Sequence, residues 1–270
     1  MIIDGYSHCG LSKYRPVEDV ITVMRIAGVS RAVLCQHLGE YDNEYLAKVV
    51  ASNPAMFAAI CLIDPTSPTA AAELEKWHTA VRFRGVRLLA EWLRDYESLW
   101  ARAVNLGFTL VVYAPQGAAS AAPAIARFVA AHPSARMVVT HLGNPQLRSG
   151  RLVETELLRL AAHAGIFVQL SGLSQFCEYP YAELHKFIRV IVREFGAPRI
   201  YWGSNYPVCG DESAYCRDLR QVSHGEWDLT PEQIQWITGR TAAQLWFPTL
   251  LHEHVVPDGL PVANMLRATS

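Results

Sequence analysis

Eight short apolar runs, spaced almost evenly along the chain, constrain this sequence more than any other feature. They are Met1–His8, Arg31–His37, Phe57–Ile63, Gly85–Leu89, Phe108–Ala114, Arg136–His141, Ile166–Ser171 and Arg199–Asn205. Their starts lie roughly 23 to 33 residues apart, the length of a strand plus a crossover helix. The segments between them carry helix signals. Pro16 opens one ahead of Glu18 and Asp19, and Thr69–Trp77 places apolar residues at helical spacing. Leu184–Phe195 stops at Gly196, and Thr230-Pro231-Glu232 supplies an N-cap and a first turn. Near-continuous apolar strands alternating with helices predict a closed parallel (β/α)8 TIM barrel. An open doubly wound sheet would want a G-x-G-x-x-G turn after the first strand, and the sequence has none there.

The 270 residues suit one such barrel, which we place at residues 1–246. Residues 247–270 hold three prolines and no clear period. They are expected to form a C-terminal extension packing on the barrel or on the neighbouring subunit of a homodimer. With 51% hydrophobic and 18% charged residues the chain can fill a large core, which excludes disorder. A formal net charge of -1 leaves no basic footprint for nucleic acid. The most apolar stretch, Phe108–His132, is broken by Pro115, Gly117 and Pro123, so no membrane span is expected. The chain opens with an acid at Asp4 and no basic leader, and its six cysteines contain no CxxC pair. Buried, reduced thiols in a cytoplasmic enzyme with a small-molecule substrate are the expectation.

Barrel chemistry sits at the C-terminal ends of the strands. Those ends supply Tyr6, His8 and Cys9, then Cys35 and His37, Asp64, Arg87 with Glu91 just beyond, and Tyr113. The later strands supply Thr140 and His141, Ser171 and Ser174, and Ser204, Asn205 and Tyr206. Each has a structural alternative. His8, His37 and His141 could be satisfied core or loop imidazoles. Arg87 lies inside an apolar strand and needs a partner, either Glu91 or another acid, or a substrate carboxylate or lactone carbonyl. Cys9 and Cys35 read as buried thiols before they read as nucleophiles. The tryptophans at 92, 202, 227, 236 and 246 read as core and rim packing, with Trp202 also a candidate for lining the substrate site. His252 and His254 read as solvated.

These strand ends resemble those of the amidohydrolase superfamily, in its decarboxylase and lactonase branch. Ile3-Asp4 through His8 is similar to I-D-x-H-x-H, Asp42–Leu46 to D-N-x-Y-L, and Arg84–Leu88 to R-G-V-R-L. His141–Pro145 resembles H-L-G-x-P, Gly203–Pro207 resembles G-S-D-Y-P, and Gly239–Leu245 resembles G-x-N-A-x-x-L. Metal-dependent members bind zinc through both histidines of H-x-H, a histidine at the end of strand 5 and the aspartate of G-S-D-Y-P. Here those positions hold Tyr6, His8, Tyr113-Ala114-Pro115 and Asn205. One histidine, two phenols and an amide suit a zinc ion poorly, so the expectation is no catalytic metal; the remaining metal reading is one zinc through His8 and His141.

The resemblance implies His141 as the acid/base histidine. The expected catalytic set is His141, His8, Tyr6 and Asn205, with Arg87, Tyr113, His37, Glu91, Ser174 and Trp202 around the substrate. Asn205 cannot titrate, so any base is an imidazole. The simplest activity is metal-independent lactone hydrolysis. The alternatives are a non-hydrolytic isomerase, dehydratase, cyclase or decarboxylase on the same scaffold, and a binding pseudoenzyme.

Overall fold

The computed structural model describes residues 1–80, 83–148, 151–152, 156–224 and 227–248. Every apolar run contains a strand: β1 (Ile3–Ser7), β2 (Arg31–Cys35), β3 (Phe57–Leu62), β4 (Gly85–Leu89), β5 (Thr109–Tyr113), β6 (Met137–Val139), β7 (Ile166–Leu170) and β8 (Ile200–Trp202). They pair in parallel and in chain order, with helices between them, which is the (β/α)8 barrel. The helices that begin where the sequence signals them include α1 (Val17–Ala27), with Glu18 and Asp19 in its first turn. Another, Ala182–Phe195, is capped by a left-handed Gly196 and buries Leu184, Phe187, Ile188 and Ile191 on one face. The long apolar stretch divides into β5 and the helix Ala118–Ala131. Among the described residues no helix is long and apolar enough to cross a membrane. All six cysteines are free thiols.

Strand alternation sorts the side chains into two layers. Val86, Leu88, Leu110, Val112, Val168 and Leu170 face outward and pack with the helices. Ile3, Tyr6, Val33, Cys35, Ile60, Val111, Val138 and Tyr201 fill the barrel. The chain returns beneath this inner layer. A full capping box at Thr230 and Gln233 starts the helix Pro231–Gln235, which continues through a π turn into Thr241–Trp246. Trp246, Leu245, Ala242 and Phe247 join the inner cluster and close the floor of the barrel. Gly85 makes room for this plug, since a Cβ there would meet the Trp246 ring at 2.9 Å. Of the expected extension 247–270, residues 249–270, with His252 and His254, lie outside the described residues.

A buried carboxylate joins the last strand to the first. Asp4, fully buried, accepts from the Ser204 backbone N–H at 2.8 Å, the Ser204 hydroxyl at 2.6 Å and the Tyr6 N–H at 3.1 Å. Above it the Asn205 N–H donates to the Tyr6 carbonyl at 2.8 Å, and the His8 N–H to the Tyr206 carbonyl at 2.7 Å. The two edges approach closely because both carry glycine. A Cβ on Gly203 would stand 2.6 Å from the Tyr6 Cβ, and one on Gly5 would stand 2.2 Å from the Tyr201 ring.

Removing the Asp4 carboxylate strands two backbone donors and a hydroxyl in a dry site. Asp4→Ala should therefore lower stability by about 2–4 kcal/mol, read from the urea midpoint at unchanged m-value. A loss below about 1 kcal/mol would mean that the clasp does not hold the barrel shut.

Candidate active site

The mouth of the barrel gathers most of the polar strand-end residues, each delivered by a local feature of its strand. A register irregularity in β1 between Asp4 and Ser7 lets both Ile3 and Tyr6 face inward, and strand alternation then brings His8 to the same side as Tyr6. Arg87 lies on the inward side of β4, with Val86 and Leu88 outward. His141 follows β6 in a run of four left-handed residues, with φ of +52° at His141, +56° at Leu142, +75° at Gly143 and +58° at Asn144. Asn205, after β8, is left-handed as well, at φ +57°. Such geometry at non-glycine residues costs roughly 1–3 kcal/mol each and persists where the surroundings hold it.

The rings interlock. Tyr6 meets His8 edge-on at 4.9 Å and His141 edge-on at 5.4 Å, while Tyr113 meets His141 at 5.7 Å. The Arg87 guanidinium lies 5.8 Å from the Tyr6 ring and 5.5 Å from the Tyr113 ring. Arg87 is 6% exposed, donates from Nη1 to the Gln36 carbonyl at 3.0 Å, and makes no ion pair among the described residues. Its Nε has no acceptor. The buried Tyr6 hydroxyl likewise finds no nitrogen or oxygen partner, and the His37 Nδ1 has none. Spare hydrogen-bonding capacity on the Arg87 guanidinium and on two buried groups near it gives the mouth polar atoms with which to bind a polar group.

Both imidazoles are neutral. Burial, then the Arg87 charge, pushes His8 down to about 3, and the same two causes with His8 itself push His141 down to about 3. A neutral His8 gives its single proton from Nδ1 to the Cys35 carbonyl at 2.6 Å. Its Nε2 is then a lone pair 3.2 Å from Asn205 Oδ1, and the contact is a hydrogen bond with the side-chain amide turned over so that its N–H2 donates to Nε2. Both nitrogens of His8 are thereby engaged. His141 uses Nδ1 on the Ser171 hydroxyl at 2.8 Å. Burial also holds the Tyr6 phenol well above its ordinary range, so it is a donor rather than an anionic ligand. This donor set does not fit a catalytic zinc, which wants three protein ligands and an open position.

The structure thus brings together Tyr6, His8, Arg87, Tyr113, His141 and Asn205, with His37 at the edge. It does not bring in three other expected residues. Glu91 is exposed where the chain turns into the helix Trp92–Asp95, and it makes no ion pair with Arg87. Ser174 is exposed beyond β7. Trp202 points outward from β8 against Tyr215, their rings 5.6 Å apart. Sequence reasoning missed Tyr14, which stacks on His8 at 5.0 Å and meets His37 edge-on at 5.1 Å. It also missed Gln36 and Gln169, single polar residues next to or inside apolar runs. A lone amide in a buried strand is a signal that could have found Gln169.

The amidohydrolase family profile matches residues 12–247, and the chain belongs to that family. It is 28% identical over 208 residues to an L-fucono-1,5-lactonase of Burkholderia ambifaria, covering 71% of this chain and 69% of that one. Among solved structures it resembles a putative 2-pyrone-4,6-dicarboxylic acid hydrolase of Pseudomonas putida, with a TM-score of 0.76 and 22% identity. That match covers 90% of this chain and 96% of the other. A 5-carboxyvanillate decarboxylase of Sphingomonas paucimobilis superposes with a TM-score of 0.67 at 14% identity, covering 91% and 98%. At these identities the solved structures speak for the fold.

The neutral imidazoles set a pH dependence. Unfolded histidine binds a proton near pH 6.5, whereas folded His141 does so only near 3. Its stabilising contribution is therefore complete above pH 6.5 and is lost as the pH falls toward 3. Asp4 works the other way: burial raises it to about 6, so its contribution declines as the pH rises from 4 to 6. Subtracting a His141→Asn variant isolates the histidine. Between pH 6.5 and 4.5 the stability gap between wild type and variant should shrink by about 2 kcal/mol, read from urea unfolding at each pH. A constant gap would mean that His141 takes up its proton as readily in the folded protein as in the unfolded chain.

Proposed function

We propose that this chain is a metal-independent enzyme that opens a small lactone ring by acid–base chemistry at the barrel mouth. The observation that carries this reading is the pair of buried donors, Arg87 Nε and Tyr6 Oη, which have no nitrogen or oxygen partner among the described residues, beside the neutral imidazole of His141. The kinship with a lactonase supports it.

A substrate carbonyl oxygen placed between Arg87 and Tyr6 would accept from both, and both would bond more strongly to the developing oxyanion than to the carbonyl. Water attacks the carbonyl carbon and its proton passes to His141. The ring carbon–oxygen bond then breaks and His141 returns the proton to the leaving oxygen, so the product is a hydroxy acid and the imidazole is restored. His141 is a weak base because it is buried and, after that, because Arg87 is positive. Negative charge building on the carbonyl oxygen offsets that charge, so the basicity of His141 rises along the reaction coordinate. The His8–Asn205 pair orients the water or the ring without itself gaining a proton.

A second reading is favoured by Asn205. With an amide bonded to His8 where the family carries a proton-accepting aspartate, water activation is the weakest part of the site. An isomerase or lyase that moves a substrate proton through His141, with Tyr6 stabilising an enolate-like oxygen, needs no such base.

The test is turnover of L-fucono-1,5-lactone and a panel of related lactones and aryl carboxylates. His141→Asn should lower turnover about 10²–10⁴-fold while leaving the fold intact. Tyr6→Phe should cost on the order of 10²-fold or more, because the phenol donates to the oxyanion of lactone opening and equally to an enolate-like oxygen, and the substrate that turns over separates the two readings. Unchanged turnover in His141→Asn would end the assignment.

A further inference from the structure

The hydrogen-bond chain beneath His141 carries an inference that rests on the reading of His141 as the proton-moving group. Gln169 is buried in β7, and Ser171, two residues on, follows that strand in the same inward parity, both within a barrel interior where each donor needs an acceptor. Gln169 Nε2 donates to the Tyr201 hydroxyl at 3.1 Å, which turns the amide oxygen toward Ser171. The Ser171 hydroxyl donates to that oxygen at 2.7 Å. A serine has one proton, and here it is already committed. Its oxygen, 2.8 Å from His141 Nδ1, can therefore only accept, and Nδ1 must carry the proton.

The ring is also held in place from behind. Gly172 is left-handed at φ +66°, and a Cβ there would stand 3.0 Å from His141 Nδ1 and 2.6 Å from the Gln175 amide nitrogen. Glycine leaves room for the imidazole edge to reach Ser171. No protein hydrogen bond engages His141 Nε2 among the described residues.

We propose that Ser171 and Gln169 are positioning residues that hold neutral His141 as its Nδ1–H tautomer, with Nε2 kept as a bare lone pair. They act through His141 and touch no reacting atom. A lone pair at Nε2 is what a group must offer in order to take a proton, so the chain keeps the imidazole ready as a base before substrate arrives. The polarity of the chain resides in one amide. A reversed Gln169 would turn the Ser171 proton toward Nδ1 and give the opposite tautomer, a proton donor at Nε2.

Histidine-selective nitrogen-15 NMR of the whole protein at pH 7 reads this directly, with the His141 signals assigned by their loss in His141→Asn. The expected result is one tautomer, Nδ1–H, in roughly tenfold or greater excess, the ratio a single buried hydrogen bond supports. Ser171→Ala should abolish that excess and Ser171→Thr should keep it. Gln169→Glu, whose carboxylate can only accept, should keep Nδ1–H as well. An Nε2–H tautomer in the wild-type protein, or a ratio unmoved by Ser171→Ala, would overturn the proposal. No substrate enters the measurement, so it fails separately from the functional reading. An Nδ1–H imidazole whose replacement leaves turnover unchanged would sink the activity and leave the positioning intact.

Discussion

A parallel barrel acquires its shape only where the last strand meets the first, and here a buried carboxylate makes that join. Asp4 gathers both Ser204 donors and the Tyr6 N–H into one dry site. The same backbone stretch then delivers three residues of the mouth. Tyr6 and His8 lie two and four positions beyond Asp4, and Asn205 follows Ser204 and bonds through its N–H to Tyr6. The closure and the site are therefore one construction. Loosening the first would move the His8–Asn205 contact by whatever the strands move.

The chemistry follows from a cation without a counter-ion. Arg87 is buried among aromatic rings and, among the described residues, bonds to one backbone carbonyl and pairs with no carboxylate. Burial, and after it the Arg87 charge, holds both neighbouring histidines neutral. A bound group that brings negative charge relieves the cation and strengthens the imidazole at once.

Much of the fold was legible because a barrel strand is apolar on both faces and each run has a fixed length. The strand ends were legible for the same reason: polar residues closing an apolar run have few places to go. What sequence could not show was parity and turning. Trp202 and Tyr201 are adjacent in β8, and only the packing shows that Tyr201 enters the barrel while Trp202 leaves it. Glu91, four residues after Arg87, looked like its partner, but the chain turns into a helix and carries the carboxylate to solvent. Tyr14 lies in a loop without periodicity, so nothing in its neighbours announces that it stacks on His8. The His141–Ser171–Gln169–Tyr201 chain spans three strands and exists only once the register is set.

Everything proposed for the barrel mouth depends on its working without a metal. The decisive measurement is metal content by elemental analysis alongside turnover of an active lactone, on protein purified without added metal and again after exhaustive chelation. The account predicts turnover that is unchanged by chelation and uncorrelated with residual zinc across preparations. Stoichiometric zinc, with activity lost on chelation and restored by adding the metal back, would contradict it.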